Sequence, residues 1–367
     1  MQSSPFHFIW KTRPTQGNSP QPRYGHSAIL YQNSKIIFGG EHNETGKTLN
    51  DVYLLDLENW TWMQPQVWGD IPTSRSFHTA VLAGDKMLVW GGYQQAKDGG
   101  YIFSDVDVHI LNLQTWEWSQ VTPKGTPPAA RCHHSAALFK DKIFIDGGSF
   151  DMYTALDDLH LLDITKMCWI NIQVDKCSSA ALAGLKVRGN TLVKFLGDAA
   201  YGGFCPDILT LELGDLDSEN LLPLQWQKAK FVGIDNYKYK ILLPNSDEEE
   251  EEDEEYDEGD GIPYRTVHGY GEFGDNLVLF AGMAPGNGVS HVTISDVILL
   301  NMPSVEEATS GTYTAMVPLV EGKFPAPRFG HSTVQFNRQT IVYGGLWIDT
   351  YTGNNSYDRD VHILEIV

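Results

Sequence analysis

Short apolar runs recur along the chain in two forms. The first form ends in paired glycines, as in residues 35–38 followed by Gly39 and Gly40. The second form begins with an aspartate and an aliphatic residue and has Leu, Ile or Met at its seventh position; its six copies start at Asp51, Asp107, Asp158, Asp207, Asp296 and Asp360. These runs are apolar on both faces, which is typical of strands packed between neighbouring sheets. Six copies predict six sheets.

A polar motif precedes the glycine-terminated runs at a fixed distance. In five units an arginine stands three residues before a histidine, and that histidine stands fourteen residues before the last glycine of the run. The arginines are Arg23, Arg75, Arg131, Arg265 and Arg328. The fourth unit departs from this pattern, with Ala180 and Ala183 at the arginine and histidine positions. Constant spacing through repeats of about 50 residues indicates one supersecondary unit that is used repeatedly.

Aromatic residues mark a fourth strand in each unit and indicate how the chain closes. They are Trp62, Trp118, Trp169, Trp226 and Tyr313. The sixth unit reaches Val367 after only three strands. Trp10 lies 13 residues before Arg23, and Trp62 lies 13 residues before Arg75. We therefore expect residues 6–10 to form the outer strand of the last sheet, which removes exposed sheet edges at the seam.

The Gly-Gly, Asp-aliphatic and tryptophan motifs at these spacings resemble the kelch repeat, and the resemblance covers nearly the whole chain. It implies an all-β fold, a single six-bladed kelch-type β-propeller over residues 1–367, closed by an N-terminal strand that completes the last blade. The abundance of glycine, proline and aromatic residues agrees with an all-β chain.

One long insertion, residues 227–264, separates the fourth and fifth units. Within it, residues 247–260 are acidic at twelve of fourteen positions. The residues that we single out as a candidate acidic loop are Asp247, Glu250, Asp253, Glu255, Asp257 and Asp260. Such a run cannot form a packed core, so we expect disorder, and it is either an inert solvated loop or an interaction segment.

Charge and composition exclude several classes of protein. The acidic run accounts for most of the formal net charge of −21 and leaves about −9 for the remainder. This is not the basic footprint of a nucleic-acid-binding protein. No apolar run reaches 18 residues, which predicts no membrane span. Four cysteines without a CxxC spacing, in a chain without a secretory signal, favour reduced thiols in a cytoplasmic or nuclear protein. We expect a monomeric propeller without a cofactor.

Blade topology predicts one functional surface. In a four-stranded antiparallel blade, the loops between the second and third strands emerge on the same face as the blade-to-blade connections; we call it the loop face. The second-to-third loops carry Tyr93, Tyr101, Tyr153, Trp347 and Tyr351, and the connections carry the five arginines. Aromatic residues and arginines are enriched at binding hot spots. These ten residues are therefore our candidate partner-binding set.

Two polar motifs have competing interpretations. A residue repeated in five blades is favoured as part of the blade's construction, and the alternative is that some arginines line the mouth and bind carboxylates bidentately. Mouth-face arginines do this in the kelch-type substrate receptors that the pattern resembles. Cys132, His133 and His134 look like a metal cluster, but His134 is the repeat histidine, so we predict no metal site.

We expect a non-enzymatic scaffold or adaptor that binds a partner protein or peptide through the loop face, similar to kelch-only adaptor proteins. The alternative is a kelch-fold enzyme of the oxidase, isomerase or lyase type, with a site assembled in the propeller mouth. The sequence contains no P-loop, H-E-x-x-H or E-x-x-x-D-x-x-x-H motif. A site assembled across blades carries no such motif, so the alternative stays open.

The acidic loop and the arginines are predicted to share the loop face, and we hypothesise that the loop competes there with an acidic partner. Deleting residues 245–260 should then raise the affinity for an acidic peptide, because a competing charge is removed. Binding measured at low salt checks this prediction, and an unchanged affinity would contradict it.

Overall fold

The computed structural model describes residues 6–175, 180–199, 203–204, 207–216, 223–232, 265–284, 292–302, 312–348, 355–357 and 359–367. These residues form strands and turns, and none of them belongs to a helix that could cross a membrane. The strands form six four- or five-stranded blades of a β-propeller. Inner strands of neighbouring blades contact each other, and blade six contacts blade one. The prediction of six sheets is confirmed.

The first three blades follow one another along the chain, and each is antiparallel from its inner to its outer strand. Blade one contains Ser27–Tyr31, Ser34–Phe38, Val52–Asp56 and Thr61–Met63. Blade two contains Thr79–Ala83, Lys86–Trp90, Val108–Asn112 and Glu117–Val121. Blade three contains Ser135–Phe139, Lys142–Asp146, Leu159–Asp163 and Cys168–Ile170.

The last three blades repeat the same order. Blade four contains Gly184–Arg188, Thr191–Phe195, Ile208–Glu212 and Gln227–Lys228. Blade five contains Gly269–Phe273, Asn276–Ala284, Val292–Asn301 and Thr312–Met316. Blade six contains Ser332–Phe336, Gln339–Tyr343, Val361–Ile366 and, from the other end of the chain, His7–Arg13.

The strand His7–Arg13 closes the ring. It pairs antiparallel with the third strand of blade six, with Trp10 opposite Leu364. Trp10 is buried and its ring lies 4.6 Å from that of Phe280 in blade five. The predicted closure is therefore confirmed, and the strand extends to Arg13, three residues beyond the predicted end.

Each connection between blades crosses to the outer edge of the next blade before it reaches the inner strand. In four blades it forms a short strand parallel to the outer strand; these are Gln16–Gly17, Trp68–Gly69, Lys230–Val232 and Leu319–Gly322. Blades three and four have single bridges there instead, from Lys124 to Cys168 and from Val174 to Leu224. The connection that precedes a blade therefore also binds that blade's rim.

Glycine is favoured at these paired positions because the next blade approaches the backbone closely. The second glycine donates its N–H to the carbonyl of the next blade's arginine position, as Gly40 does to Arg75 and Gly92 to Arg131, both at 2.9 Å. Both glycines of a pair have positive φ, for example +68° and +92° at Gly91 and Gly92. At the first glycine a side chain is strained on two counts, by its left-handed backbone and by its contact with the neighbouring blade.

Three of the five repeat histidines join neighbouring blades through hydroxyl groups. Nε2 of His78 lies 2.8 Å from Oγ of Ser27 in blade one, and Nε2 of His134 lies 2.9 Å from Oγ1 of Thr79 in blade two. The same contact joins His26 to Ser332 across the seam. Burial lowers the pKa of these histidines, to about 3 for His134, and the rings are therefore neutral at pH 7.

The tryptophans of the outer strands pack on the preceding blade. Each ring lies against an aromatic residue that comes directly before the glycine position of that blade; the pairs are Trp62 with Tyr343, Trp118 with Phe38, Trp169 with Trp90, and Trp10 with Phe280. Ring centroids in these pairs are 4.6–5.7 Å apart. The three sequence motifs therefore meet at the interfaces between blades.

Two glycine substitutions separate backbone strain from blade contact. Gly84 and Gly91 both have positive φ, +60° and +68°, but a Cβ at Gly84 would meet nothing within 4 Å, whereas at Gly91 it would lie 2.8 Å from the Arg131 carbonyl oxygen. We expect Gly84→Ala to destabilise the fold by about 1 kcal/mol and Gly91→Ala by about 3 kcal/mol, because overpacking adds to the strain. Urea unfolding measures both, and equal effects would contradict the close-contact explanation.

Candidate functional site

In every blade the connection and the second-to-third loop are joined on the loop face. The residue after the arginine position pairs with the residue after the glycine position; the pairs are Tyr24–Glu41, Ser76–Tyr93, Cys132–Ser149, Ala181–Asp198, Thr266–Met283 and Phe329–Leu346. The prediction that both kinds of segment share one face is confirmed. The loops are thereby anchored directly above the blades.

Several of these loops contain short two-stranded sheets of their own. They are Arg23–Tyr24 with Glu41–His42, Tyr93–Gln95 with Tyr101–Phe103, Asp198–Ala199 with Gly203–Phe204, and Trp347–Ile348 with Asn355–Ser356. Backbone pairing of this kind reduces the freedom that a loop would otherwise lose on binding a partner.

A ring of backbone hydrogen bonds surrounds the mouth of the central channel on this face. The residue before each repeat histidine position has positive φ, and five N–H groups donate to the preceding blade over 2.8–3.3 Å; the donors are Gly25, Phe77, His133, Leu182 and Gly330. The depression at the mouth has a volume of about 170 Å³. Its wall includes Phe77 and His133 and lacks side chains at Gly25 and Gly330.

The five repeat arginines are buried beneath the loop face. Their exposed fractions are between 0% and 4%. In four blades the guanidinium group donates to the carbonyl of the first glycine of the pair, as Arg23 does to Gly39 at 3.0 Å and Arg131 to Gly147 at 2.9 Å. The interpretation of these arginines as part of the blade's construction accounts for their positions.

All five arginines also contact the aspartate of the Asp-aliphatic motif in their own blade or the histidine two residues after its position. Arg265 forms a bidentate pair with Asp296 at 3.0 and 2.8 Å, and bidentate pairs also join Arg23 to Asp51 and Arg131 to Asp158; in blades two and six the guanidinium group contacts His109 and His362. This burial disagrees with the alternative interpretation, in which arginines exposed at the mouth bind carboxylates. The arginines cannot supply the exposed positive charge on which the competition hypothesis depends.

The structure separates the predicted aromatic residues into two groups. Tyr93 and Trp347 are buried, with exposed fractions of 4% and 9%, whereas Tyr101 and Tyr153 are exposed at 49% and 74%. Tyr351 and the six candidate residues of the acidic loop lie outside the described residues, and their role remains a prediction from the sequence.

Glu41 lies at the centre of an aromatic cluster that sequence reasoning missed. Its carboxylate accepts hydrogen bonds from the hydroxyls of Tyr24, at 2.6 Å, and Tyr93, at 2.9 Å. Burial, together with the Glu41 carboxylate, raises the pKa of both tyrosines, so both hydroxyls remain donors at neutral pH. Phe77 lies within 6.1 Å of the rings of both tyrosines. The cluster ties blade one to blade two.

Among the described residues of the second-to-third loops, the large exposed apolar side chains lie on two neighbouring blades. Tyr101 and Ile102 belong to the second-to-third loop of blade two, and Phe150 and Tyr153 to that of blade three. The ring of Tyr101 packs edge-on against Tyr93, with 4.9 Å between the centroids. We call these four residues the aromatic patch. Buried tyrosines and Glu41 support its blade-two half.

A spacing in the sequence could have located the connections and their arginines. Four connections read Gly-x-x-Pro-x-x-Arg, from Gly17, Gly69, Gly125 and Gly322. At Gly17 and Gly69 a Cβ would collide with the carbonyl of the outer-strand tryptophan, and both residues have positive φ. The glycine therefore marks where the connection contacts the outer strand of the next blade. The arginine six residues later marks where the chain enters the interior of that blade.

The described residues contain no group of three or more His, Cys, Asp and Glu side chains that could hold a metal ion. His134 contacts Thr79 of blade two rather than its sequence neighbours.

Comparison with protein-family models matches residues 6–197 to the KLHDC2/KLHL20/DRC7 Kelch-repeats domain. The match covers more than half of the chain, and the chain therefore belongs to the kelch-repeat family.

Curated relatives match parts of longer proteins. Human Kelch domain-containing protein 3 is 34% identical over 134 residues, which cover 36% of this chain and 34% of the relative. Acyl-CoA-binding domain-containing protein 5 of Arabidopsis thaliana is 32% identical over 169 residues, 44% of this chain and 26% of the relative. The plant's Acyl-CoA-binding domain-containing protein 4 is 23% identical over 368 residues, 97% of this chain and 47% of the relative. The chain thus spans less than half the length of each of these relatives.

Among solved structures, that of YjhT is similar with a TM-score of 0.61 and 14% sequence identity, covering 93% of this chain and 99% of that chain. At this identity the likeness shows the fold alone.

The buried arginine–carboxylate pairs can be tested in blade five. Asp296→Ala leaves the guanidinium group of Arg265 buried without its carboxylate, and we expect a loss of about 3 kcal/mol in the free energy of unfolding. The double variant Arg265→Met/Asp296→Ala should recover part of that loss, because the uncompensated charge is removed. Chemical denaturation measures both variants, and a double variant that is less stable than Asp296→Ala would contradict the charge-pair explanation.

Proposed function

We propose that the protein is a non-enzymatic binding module, a scaffold or adaptor, and that a partner protein or peptide docks on the loop face over blades two and three. The observation that carries this proposal is the aromatic patch of Tyr101, Ile102, Phe150 and Tyr153. Membership of the kelch-repeat family supports a role in protein interaction in general, and the position of the patch supports the particular surface.

The chemistry of the patch suits a partner with apolar anchors. Tyrosine and phenylalanine offer large contact areas with few rotatable bonds, and they are typical of interface hot spots. Exposed apolar groups that cluster on a soluble surface are a common mark of an interaction site. The partner therefore presents apolar or aromatic side chains to blades two and three.

The buried residues beneath Tyr101 hold the blade-two half of the aromatic patch in place, which favours binding with little reorganisation. Tyr93 is held by Glu41 and by contact with Phe77, and Tyr101 packs on Tyr93. The strand Tyr101–Phe103 pairs with Tyr93–Gln95, which fixes the backbone of this half of the patch. A surface ordered before binding loses less conformational entropy when the partner arrives.

A pair of matched variants tests the surface. Tyr101→Ser/Tyr153→Ser removes two exposed rings from the loop face, and Trp68→Ser/Leu319→Ser removes two side chains of similar exposure, 52% and 56%, from the rims of blades two and six. Proximity labelling in cells that express each form identifies partners, and their affinities are then measured with purified protein. We expect the loop-face variant to weaken binding at least about tenfold and the rim variant to leave it unchanged.

Circular dichroism and unfolding midpoints establish that both variants remain folded. Equal capture and equal affinity for the wild type and the loop-face variant would overturn the proposed surface. Loss of binding only in the rim variant would move the interaction site to the outer edges of the blades.

A further inference from the structure

Three side chains with soft donor atoms meet on the loop face of blade three. The thiol sulfur of Cys132 lies 3.4 Å from the thioether sulfur of Met152 and 3.4 Å from Nδ1 of His133. Cys132 is fully buried, whereas Met152 and His133 are half-buried. This group differs from the Cys-His-His run of the sequence, because Met152 takes part and His134 does not.

Local backbone structure brings these three residues together. Cys132 pairs with Ser149 in the two-residue bridge of blade three. The carboxylate of Asp151 accepts hydrogen bonds from the backbone N–H groups of Tyr153 and Thr154. These bonds form a tight turn that includes Met152. His133 belongs to the ring of backbone hydrogen bonds around the mouth. Its φ is +59°, whereas His134 does not have a positive φ, so the two neighbouring histidines differ in backbone conformation.

The donor set is not a consequence of the repeat. At the position of Cys132 the other blades have Tyr24, Ser76, Ala181, Thr266 and Phe329, and at the position of His133 they have Gly25, Phe77, Leu182, Val267 and Gly330. Blade three therefore stands alone among the six in placing a thiol and an imidazole at these two positions.

Donor chemistry selects the kind of ion. Thiolate and thioether sulfur favour soft ions such as Cu(I), and imidazole nitrogen is compatible with them. Three donors around an ion at about 2.0–2.3 Å lie roughly 3.5–4 Å from one another. The two separations from the Cys132 sulfur, to Met152 and to His133, are both 3.4 Å and need only a small expansion.

We infer that Cys132, His133 and Met152 form a binding site for a soft monovalent metal ion of the Cu(I) class. On binding, the S–H bond of Cys132 breaks, a sulfur–metal bond forms and the proton passes to solvent, so no electron is transferred. Nδ1 of His133 and the sulfur of Met152 each donate a lone pair. The bound ion replaces a buried thiol with a charge-neutral metal thiolate.

The site borders the depression at the mouth and lies beside the aromatic patch. His133 lines the depression at the mouth, and its ring contacts Phe77 with 4.3 Å between centroids. Met152 directly precedes Tyr153, one of the exposed residues of the aromatic patch. A bound ion would therefore fix the blade-three loop beside the proposed docking surface. The inference goes beyond the proposed function and does not require it.

Metal titration under anaerobic, reducing conditions tests the site. The background variant Cys168→Ser/Cys177→Ser/Cys205→Ser leaves Cys132 as the remaining thiol. Ag(I), which is redox-inert, and Cu(I) buffered by a competing chelator are the probes. We expect one ion bound per chain, loss of binding in Cys132→Ser, and affinity at least roughly tenfold weaker in Met152→Leu and in His133→Asn. Zn(II) should compete poorly because a thioether is a weak ligand for it.

Met167→Leu is the matched control, since Met167 is a half-buried methionine of the same blade that also has positive φ; it should leave the affinity unchanged. Asparagine tolerates the left-handed backbone at position 133, so His133→Asn is expected to fold. The inference is overturned if the folded background variant binds no ion. It is equally overturned if Met152→Leu and His133→Asn bind as tightly as the background, because the thiol alone would then explain the binding.

Discussion

The structure depends on one close contact, in which the backbone of five of the six blades reaches the carbonyl of the next blade's arginine position. Gly40, Gly92 and Gly345 donate their N–H groups across this junction at 2.9 Å. The first glycine of a pair lies closest to the next blade, because a Cβ at Gly39 would lie 2.7 Å from the Arg75 carbonyl oxygen. The histidine–hydroxyl contact and the tryptophan–aromatic contact lie at the same junctions. Six sheets with this spacing form a ring whose second-to-third loops and connections open on one side.

Charge in the interior follows from the same geometry. The carbonyls of the glycine pairs point into the blade, and a buried arginine satisfies them while its own charge is balanced by an aspartate such as Asp51 or Asp296. Hydrogen bonds to charged groups contribute roughly 1.5–3 kcal/mol each, whereas an unpaired buried charge is costly. The arginine and aspartate motifs, separate in the sequence, are thus two halves of one contact in blades one, three and five, and this contact is fully buried in blade five.

Spacing along the sequence was enough to predict the number of blades, their closure by the N-terminal strand and the common face of the loops, because these follow from the order of strands. The direction of a side chain does not follow from order. For this reason Arg23 and Arg131 were candidates for an exposed site although both are buried. The role of Glu41 depends on Tyr93, 52 residues away, and no local pattern indicates that contact. Leu196 and Ala281 replace the first glycine and still adopt positive φ of 57° and 56°, so the neighbouring structure overrides local preference.

The crossing of each connection to the rim of the following blade has a consequence for how the molecule loses structure. In an open array of repeats, an end unit can detach while the others remain, because each touches only its neighbours. Here the segment that follows one blade also pairs with the outer strand of the next blade. Unfolding of one blade therefore breaks hydrogen bonds of the following blade. Because the ring is closed, no blade is a free end at which unfolding could begin. The arrangement therefore favours unfolding of all six blades in a single cooperative transition.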